Sequence, residues 1–192
     1  MPNWCSNTVT FKHDDPEKIK VIAHAWNSGE FMSSFFPCPK DLEETTSGWI
    51  LRDLGVGPEQ QELVVKELLN TQQYGYKNWY DWRVAEWGTK WDVGRKKGNR
   101  SLSVKSGAKK VKISFSSAWS PPIGFYEKIH DQLGYEVEAY FCEPGVGFCG
   151  SWRNGVIADF SLENIKTVDD LRATIPVKII SEFDIAEMVA EK

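Results

Sequence analysis

Residues 110–117 have a strictly alternating sequence, KVKISFSS. Val111, Ile113 and Phe115 are apolar, and the residues between them are lysine or serine. Because successive side chains of a β-strand point to opposite faces, this alternation predicts a strand with one buried and one polar face. A chain that contains such a strand needs other elements that cover its apolar side.

Two helices are predicted to supply that cover. Residues 5–12, CSNTVTFK, predict a first strand, and a helix begins after it near Pro16, behind two aspartates that can cap it. A second helix is expected after the 110–117 strand, with Ser120 as its N-cap and Pro121 at its first position. Gly134 is expected to end that helix.

Further strands are predicted at 86–93, at 135–141 and on both sides of an Asn-Gly turn at 154–155. The resulting order is strand, helix, insertion, strand, strand, helix, strand and hairpin, which matches the ferredoxin-like βαββαβ arrangement. We therefore predict an α+β protein whose antiparallel sheet carries two helices on one face. The other face of the sheet is left for an insertion, a partner or a ligand.

The chain is predicted to form one domain followed by a tail. Its 192 residues suit a single domain with a large insertion. We expect a ferredoxin-like domain over 1–162, with a tryptophan-rich insertion at about 30–85 and a terminal hairpin. Residues 163–192 are expected to form a C-terminal helical tail.

Four of the nine tryptophans lie within the segment NWYDWRVAEWGTKWD. The spacing of Trp79 and Trp82 predicts a short helix over 78–85. Trp87 and Trp91 then share one face of the predicted strand, about 13 Å apart. Such a group either anchors the core or forms a surface for stacking and recognition. The strand pair favours the anchor, and the helical pair beside Arg83 is the better candidate for binding.

Charge argues against broad binding to nucleic-acid backbones, because the net charge is −4. A local basic run nevertheless extends from residue 95 to residue 112. Basic loops of this kind are usually solvated, but this one could supply the positive charges beside bases that stack on the tryptophans. The candidate nucleic-acid contacts in that case are Arg95, Lys96, Lys97 and Arg100.

No catalytic motif stands out, so we expect neither an enzyme nor a cofactor. Four cysteines lack CxxC spacing and three histidines are scattered, which disfavours a metal site. The first residues lack a basic region followed by an apolar one, and no apolar run reaches membrane-spanning length. We therefore expect no signal peptide, no membrane association and a cytoplasmic location with free thiols. Cys142 and Cys149 could meet across a hairpin, although a reducing compartment disfavours a bridge.

Several short motifs occur in a specific order: Pro-Asn-Trp-Cys-Ser-Asn at 2–7, Trp-Gly-Thr-Lys-Trp at 87–91, Ala-Trp-Ser-Pro-Pro at 118–122 and Glu-Pro-Gly-x-Gly-Phe at 143–148. Together they resemble the YubB-type ferredoxin-like family of bacteriophage and conjugative-plasmid proteins, whose function is unknown. The resemblance covers roughly residues 2–162. It implies a ferredoxin-like fold and an origin in a mobile element, and it brings no catalytic residues.

Binding to a host protein is the function that these observations favour, with single-stranded nucleic acid as the alternative ligand. A surface of mixed charge suits a protein partner better than a polyanion. The oligomeric state is left open by the sequence. The candidate binding residues are Trp79, Trp82, Arg83, Trp87, Lys90, Trp91 and Trp119.

Overall fold

A computed structural model describes residues 3–45, 57–97 and 101–190. The strands are β1 (Trp4–Lys12), β2 (Lys110–Ala118), β3 (Glu136–Glu143), β4 (Phe148–Arg153) and β5 (Val156–Ser161). The helices are α1 (Pro16–Ser28), α2 (Lys40–Glu43), α3 (Pro58–Tyr74), α4 (Trp79–Trp87), α5 (Ile123–Leu133), α6 (Val168–Thr174), α7 (Val177–Glu182) and α8 (Ile185–Ala190). No helix in the described ranges is long and apolar enough to cross a membrane.

The five strands form one antiparallel sheet in the order β2-β1-β3-β4-β5. The predicted α+β class and antiparallel sheet are confirmed. Val9 of β1 lies in register with Ile113 of β2 and Ala139 of β3, so three apolar side chains meet across the middle of the sheet. The predicted hairpin is also present, since Asn154 and Gly155 have positive φ values of 45° and 89° between β4 and β5.

The strand predicted at 86–93 is wrong. Helix α4 begins after Asn78, whose side chain accepts hydrogen bonds from two backbone N–H groups of the first turn, and it continues to Trp87. Gly88 ends the helix in a left-handed conformation, with its N–H donating to the Val84 carbonyl. Residues 88–96 then run without helix or strand. Within the described residues, the second strand of a βαββαβ order is therefore missing.

One face of the sheet carries the main hydrophobic core. Helices α1 and α5 and the inserted segments pack on this face, and the insertion contributes large side chains such as Phe31, Leu42 and Trp82. The start of α1 is as predicted, because the Asp15 side chain accepts from the Glu17 N–H. The predicted N-cap of α5 is wrong: this helix begins at Ile123, with Pro122 before it.

The opposite face is covered by the C-terminal tail over part of its width. Cys142 and Cys149 point to this side and pack with isoleucines and leucine of the segment 165–185. The ion pair from Lys112 to Glu182, at 2.6 Å, fastens the tail to β2. The tail therefore occupies a face that the sequence left for an insertion, a partner or a ligand.

Gly88 is expected to be intolerant of a side chain. Its φ is +86°, and a Cβ atom would lie 2.9 Å from the backbone nitrogen of Ile123. Gly75 has a similar φ of +79° but open space around it. We expect Gly75→Ala to lower the free energy of unfolding by about 1–2 kcal/mol, the cost of the left-handed conformation. Gly88→Ala should cost about 2–4 kcal/mol, because overpacking adds to that strain.

Urea unfolding followed by circular dichroism measures both variants. Since the two glycines both end helices, the difference between their losses isolates the close approach of α4 to the start of α5. Equal losses for the two variants would show that this approach is not tight.

Candidate binding site

Three tryptophans are exposed together at one end of the sheet. Trp4 begins β1, Trp91 follows α4, and Trp119 follows β2, with 47%, 39% and 42% of their surfaces accessible. The Trp4 and Trp91 ring centroids are 5.8 Å apart, with the ring planes tilted by 40°. Together with Lys90, these three tryptophans form the tryptophan surface. Large aromatic side chains grouped in solvent are uncommon on a protein surface and mark interaction sites.

Lys90 lies at the centre of the tryptophan surface. Its Nζ atom is 4.1 Å from the Trp91 ring centroid and 3.7 Å from the Trp119 ring centroid, so both rings hold the ammonium by cation–π interactions. Within residues 3–45, 57–97 and 101–190, no carboxylate forms an ion pair with Lys90. The surface therefore offers a fixed positive charge framed by aromatic rings.

The backbone of Trp119 is strained. Its φ is 69°, in the left-handed region that a bulky side chain rarely adopts. The conformation is held by two hydrogen bonds: the Trp119 N–H donates to the Asn3 carbonyl at 2.9 Å, and the Ser120 N–H donates to the Ala118 carbonyl at 2.9 Å. Strain of this kind costs about 1–3 kcal/mol and concentrates at functional positions. Here it coincides with the exposure of the Trp119 ring.

A set of hydrogen bonds beneath the surface ties its segments together. The Thr89 hydroxyl donates to the Ala118 carbonyl at 2.9 Å, and the Ser120 hydroxyl donates to the Gly88 carbonyl at 2.6 Å. Asn7 and Ser117 are both buried, and the Asn7 amide donates to the Ser117 hydroxyl at 2.8 Å. The predicted capping role of Ser120 is thus replaced by a contact between α4 and the segment after β2.

Glu143 completes this end of the sheet. It is buried, and its carboxylate accepts hydrogen bonds from the N–H groups of Gly145 at 2.9 Å and Val146 at 2.5 Å. A Cβ atom on Gly145 would lie 2.9 Å from the Asn3 side-chain nitrogen, so this turn packs closely on the start of β1. The four sequence motifs quoted above therefore meet at one place in the fold, and three of them supply the exposed tryptophans.

A groove of about 420 Å³, the edge groove, opens beside the tryptophan surface. One wall is the outer edge of β2, and the other is the segment 92–96. Lys96 contributes positive charge to this groove. Asp92 also lines the groove, and its carboxylate accepts hydrogen bonds from the N–H groups of Met32 and Ser33 at 2.7 and 2.9 Å.

The helical tryptophans belong to the core instead. Trp82 and Trp87 are 8% and 0% exposed, and their rings meet edge to face at 5.5 Å. The Arg83 guanidinium lies 5.2 Å from the half-buried Trp79 ring and 5.0 Å from the Trp87 ring, and it pairs with Glu43 at 2.8 Å. The pair that the sequence favoured for binding, Trp79 and Trp82, thus stabilises the insertion. Trp87 and Trp91 do not share a face.

The basic run is partly neutralised. Lys109 pairs with Asp14 at 3.1 Å, and Lys112 pairs with Glu182. Lys96 lines the edge groove and Lys97 is exposed beside it, whereas Arg100 lies outside the described residues. Only the first part of the run is therefore placed near the exposed tryptophans.

Trp4 is the site residue that sequence reasoning missed. It belongs to a quoted motif, but its place near Trp91 depends on the pairing of β1 with β2, which brings Trp4 into register with Ala118. The sequence contained one signal for this. Trp4 directly precedes the strand predicted at 5–12, and Trp119, in the motif Ala-Trp-Ser-Pro-Pro, follows the strand predicted at 110–117, so antiparallel pairing of the two strands brings both tryptophans to one end of the sheet.

Neither thiol nor metal chemistry is favoured by the described residues. Burial raises the pKa of Cys5 and Cys149 to about 12, and that of Cys38 and Cys142 to about 11. All four cysteines are free, including the pair that lies opposite in β3 and β4. Within the described ranges, no group of three or more histidine, cysteine, aspartate or glutamate side chains could hold a metal ion.

Native thiols are expected to react slowly. At pH 8 a pKa of 11 leaves about a hundredfold less thiolate than the value of 9 for an unperturbed thiol, and burial blocks access as well. Labelling with a chromogenic disulfide should be at least about a hundredfold slower in the native protein than in urea. Rapid labelling of one thiol in the folded state would instead reveal a reactive cysteine.

No protein-family model matches the sequence, and no curated protein matches it. Among solved structures, the fold is similar to that of protein api92 from Yersinia pseudotuberculosis, of family DUF1281. The sequence identity is 11%, the match covers 84% of this chain and 98% of that chain, and the TM-score is 0.46. A similarity of this size assigns no residue role and no activity to this chain.

Proposed function

We propose that this protein acts by binding a host protein through the tryptophan surface, without catalysing a reaction. The observation that carries the proposal is the grouping of Trp4, Trp91 and Trp119 in solvent around Lys90. Tryptophan dominates the binding energy of many protein interfaces, because it buries a large area and loses little side-chain entropy. The strained backbone of Trp119 supports the same site, since the fold stabilises an unfavourable conformation that exposes this ring.

The distribution of charge supports a protein partner. The chain carries a net charge of −4, so its overall field repels a polyanion. Lys90 also lies over the rings of Trp91 and Trp119, where it competes with a stacked base. A protein can meet both the ring edges and the ammonium with its own mixture of apolar and acidic groups.

Trp91→Ala and Trp119→Ala are each expected to reduce capture of the partner about tenfold or more. Each removes an exposed aromatic side chain, and the loss of one such residue at an interface commonly weakens binding about tenfold or more. The full-length protein and each variant are used as bait in a nuclease-treated lysate of the host bacterium. Captured proteins are compared quantitatively between baits.

Leu68→Ala serves as the matched control, because Leu68 is 65% exposed on α3 and does not belong to the tryptophan surface. Its bait should capture the same protein in the same amount. Capture that is unchanged by both tryptophan substitutions contradicts the proposal.

Single-stranded nucleic acid is the second candidate ligand. It is favoured by the position of Lys96 in the edge groove that Trp4 and Trp91 also line. Tryptophan fluorescence titrated with an oligonucleotide at low and high salt distinguishes the two ligands. Quenching that weakens steeply with salt, without any protein capture, would favour the nucleic acid.

We also propose that the chain belongs to the YubB-type family and has a ferredoxin-like sheet with an altered second strand. Strands β2 and β3 both run antiparallel to β1, which lies between them, and α5 connects them. This is the split βαβ unit that makes half of a ferredoxin-like fold. Genes for phage or plasmid proteins on both sides of its gene would support a mobile-element origin.

A further inference from the structure

The outer edge of β2 has open hydrogen-bonding groups. The His13 N–H donates to the Lys109 carbonyl at 3.0 Å, and the Trp119 N–H donates to the Asn3 carbonyl at 2.9 Å, at the two ends of the β1–β2 ladder. Since bonding alternates along an antiparallel pair, the odd-numbered residues of β2 bond to β1. The N–H and C=O groups of Ser114 and Ser116 therefore point away from β1, outward from the edge of the sheet.

These outward groups face the edge groove. Ser114 and Ser116 line it, and in the part of the chain that the structure describes no backbone group bonds to their N–H or C=O on this side. The open edge ends at Ala118, whose carbonyl already accepts from the Thr89 hydroxyl. An unpaired edge of this kind is a template for a further strand.

Aromatic rings lie along the groove on both sides of the sheet plane. Trp26 and Phe115 are in contact at 5.9 Å between ring centroids, on the side that faces α1. Trp4 lies five positions from the core residue Val9 in β1, and side chains alternate between the two faces of a sheet. Trp4 therefore points to the face opposite the main core, where it contacts Trp91. Alternate side chains of an added strand would each meet an aromatic surface.

The charge of the groove contrasts with that of the whole chain. Lys90 lies next to it on the rings of Trp91 and Trp119, and Lys96 lines it. Asp92 is the acidic residue among the described residues that line it, and its carboxylate is occupied by N–H groups of the fold. The groove is therefore a local positive site on a chain of net charge −4.

We propose that the edge groove receives an extended acidic segment of the partner protein, which adds as a strand beside β2 and pairs its carboxylates with Lys90 and Lys96. This inference rests on the proposed function and specifies the chemistry of the partner. Main-chain hydrogen bonds to Ser114 and Ser116 supply affinity, and the lysines and aromatic rings select the side chains. From Ser114 to Ala118 the edge spans about 13 Å, which matches a strand of about four or five residues.

The test uses three synthetic peptides and the full-length protein. The first peptide is six residues long and alternates valine with glutamate, and the second replaces each glutamate with lysine. The third keeps the acidic sequence but is N-methylated at alternate residues, so it lacks backbone donors on one edge. Binding is measured by nuclear magnetic resonance shifts of the backbone amides and by tryptophan fluorescence.

The acidic peptide is expected to bind and to shift the amides of Ser114 and Ser116 more than those of β5. The N-methylated acidic peptide should bind about tenfold or more weakly than the unmodified one, because its methyl groups remove N–H donors that would bond to the edge of β2. The lysine peptide should bind at least about tenfold more weakly, and Lys96→Glu should weaken the acidic peptide by a similar factor. Lys66→Glu, an exposed charge reversal on α3, is the matched control and should have little effect.

Equal binding of the acidic, basic and N-methylated peptides would overturn the inference. So would binding of a single-stranded oligonucleotide at Ser114 and Ser116 in place of the acidic peptide. If no peptide binds while capture of the partner still depends on Trp91 and Trp119, the inference fails and the proposed function stands. If that capture is also independent of both tryptophans, the proposed function fails as well.

Discussion

Replacing Trp87 with alanine is expected to lower the free energy of unfolding by about 3–5 kcal/mol, the range for deleting a large buried aromatic side chain. The Trp87 ring is fully buried, packs against Trp82 and lies 5.0 Å from the Arg83 guanidinium. Its Nε1–H donates to the Phe36 carbonyl at 3.0 Å, so the substitution also leaves that carbonyl without its partner. Urea unfolding monitored by circular dichroism measures the loss.

Trp91→Ala is the matched control within the same short motif. Because the Trp91 ring is 39% exposed and contacts mainly Trp4 and Lys90, its removal should cost no more than about 1 kcal/mol. The two substitutions should have the opposite order in partner capture, since Trp91 belongs to the tryptophan surface. Similar stability losses at both positions would restore the interpretation of Trp87 and Trp91 as one buried strand face.

Asp92→Ala is expected to lower the free energy of unfolding by about 2–4 kcal/mol. The Asp92 carboxylate accepts from the N–H groups of Met32 at 2.7 Å, Ser33 at 2.9 Å and Val93 at 2.7 Å, and from the Ser33 hydroxyl. Met32 and Val93 are buried, so their N–H groups lose a partner that water replaces poorly. Each unsatisfied buried donor costs about 1–3 kcal/mol.

Asp131→Ala provides the control for Asp92. Asp131 is exposed on α5, and within the described ranges it makes no side-chain hydrogen bond or ion pair. Its removal should change stability by no more than about 0.5 kcal/mol. Urea unfolding followed by circular dichroism measures both variants. A loss at Asp92 as small as that at Asp131 would mean that the loop after α1 does not depend on this carboxylate.

Local signals in the sequence were sufficient for much of the fold. The alternation at 110–117 predicts β2, and the aspartates before Pro16 predict the start of α1. The segment 86–93 was harder, because Trp87, Thr89 and Trp91 alternate as they would in a strand. Two capping residues decide its structure: Asn78 begins a helix and Gly88 ends it, so the alternation has no sheet to join.

The candidate site was less predictable than the fold. Exposure separates Trp91 from Trp87, yet both have the same side chain and lie in one motif. What separates them is tertiary packing, since Trp87 lies on the inner face of α4 and Trp91 lies beyond the helix. The role of Trp4 depends in turn on the register between β1 and β2. Patterns within one segment carry no information about contacts of that kind.

The tryptophan surface is a discontinuous epitope. Its residues come from the start of β1, the segment after α4 and the segment after β2, so more than 80 residues of chain separate Trp4 from Trp91. A linear peptide copied from any one of these segments would therefore be a poor competitor for the partner. For the same reason, partner binding reports whether the insertion and the sheet have assembled correctly, and an antibody against this surface would be specific for the native conformation.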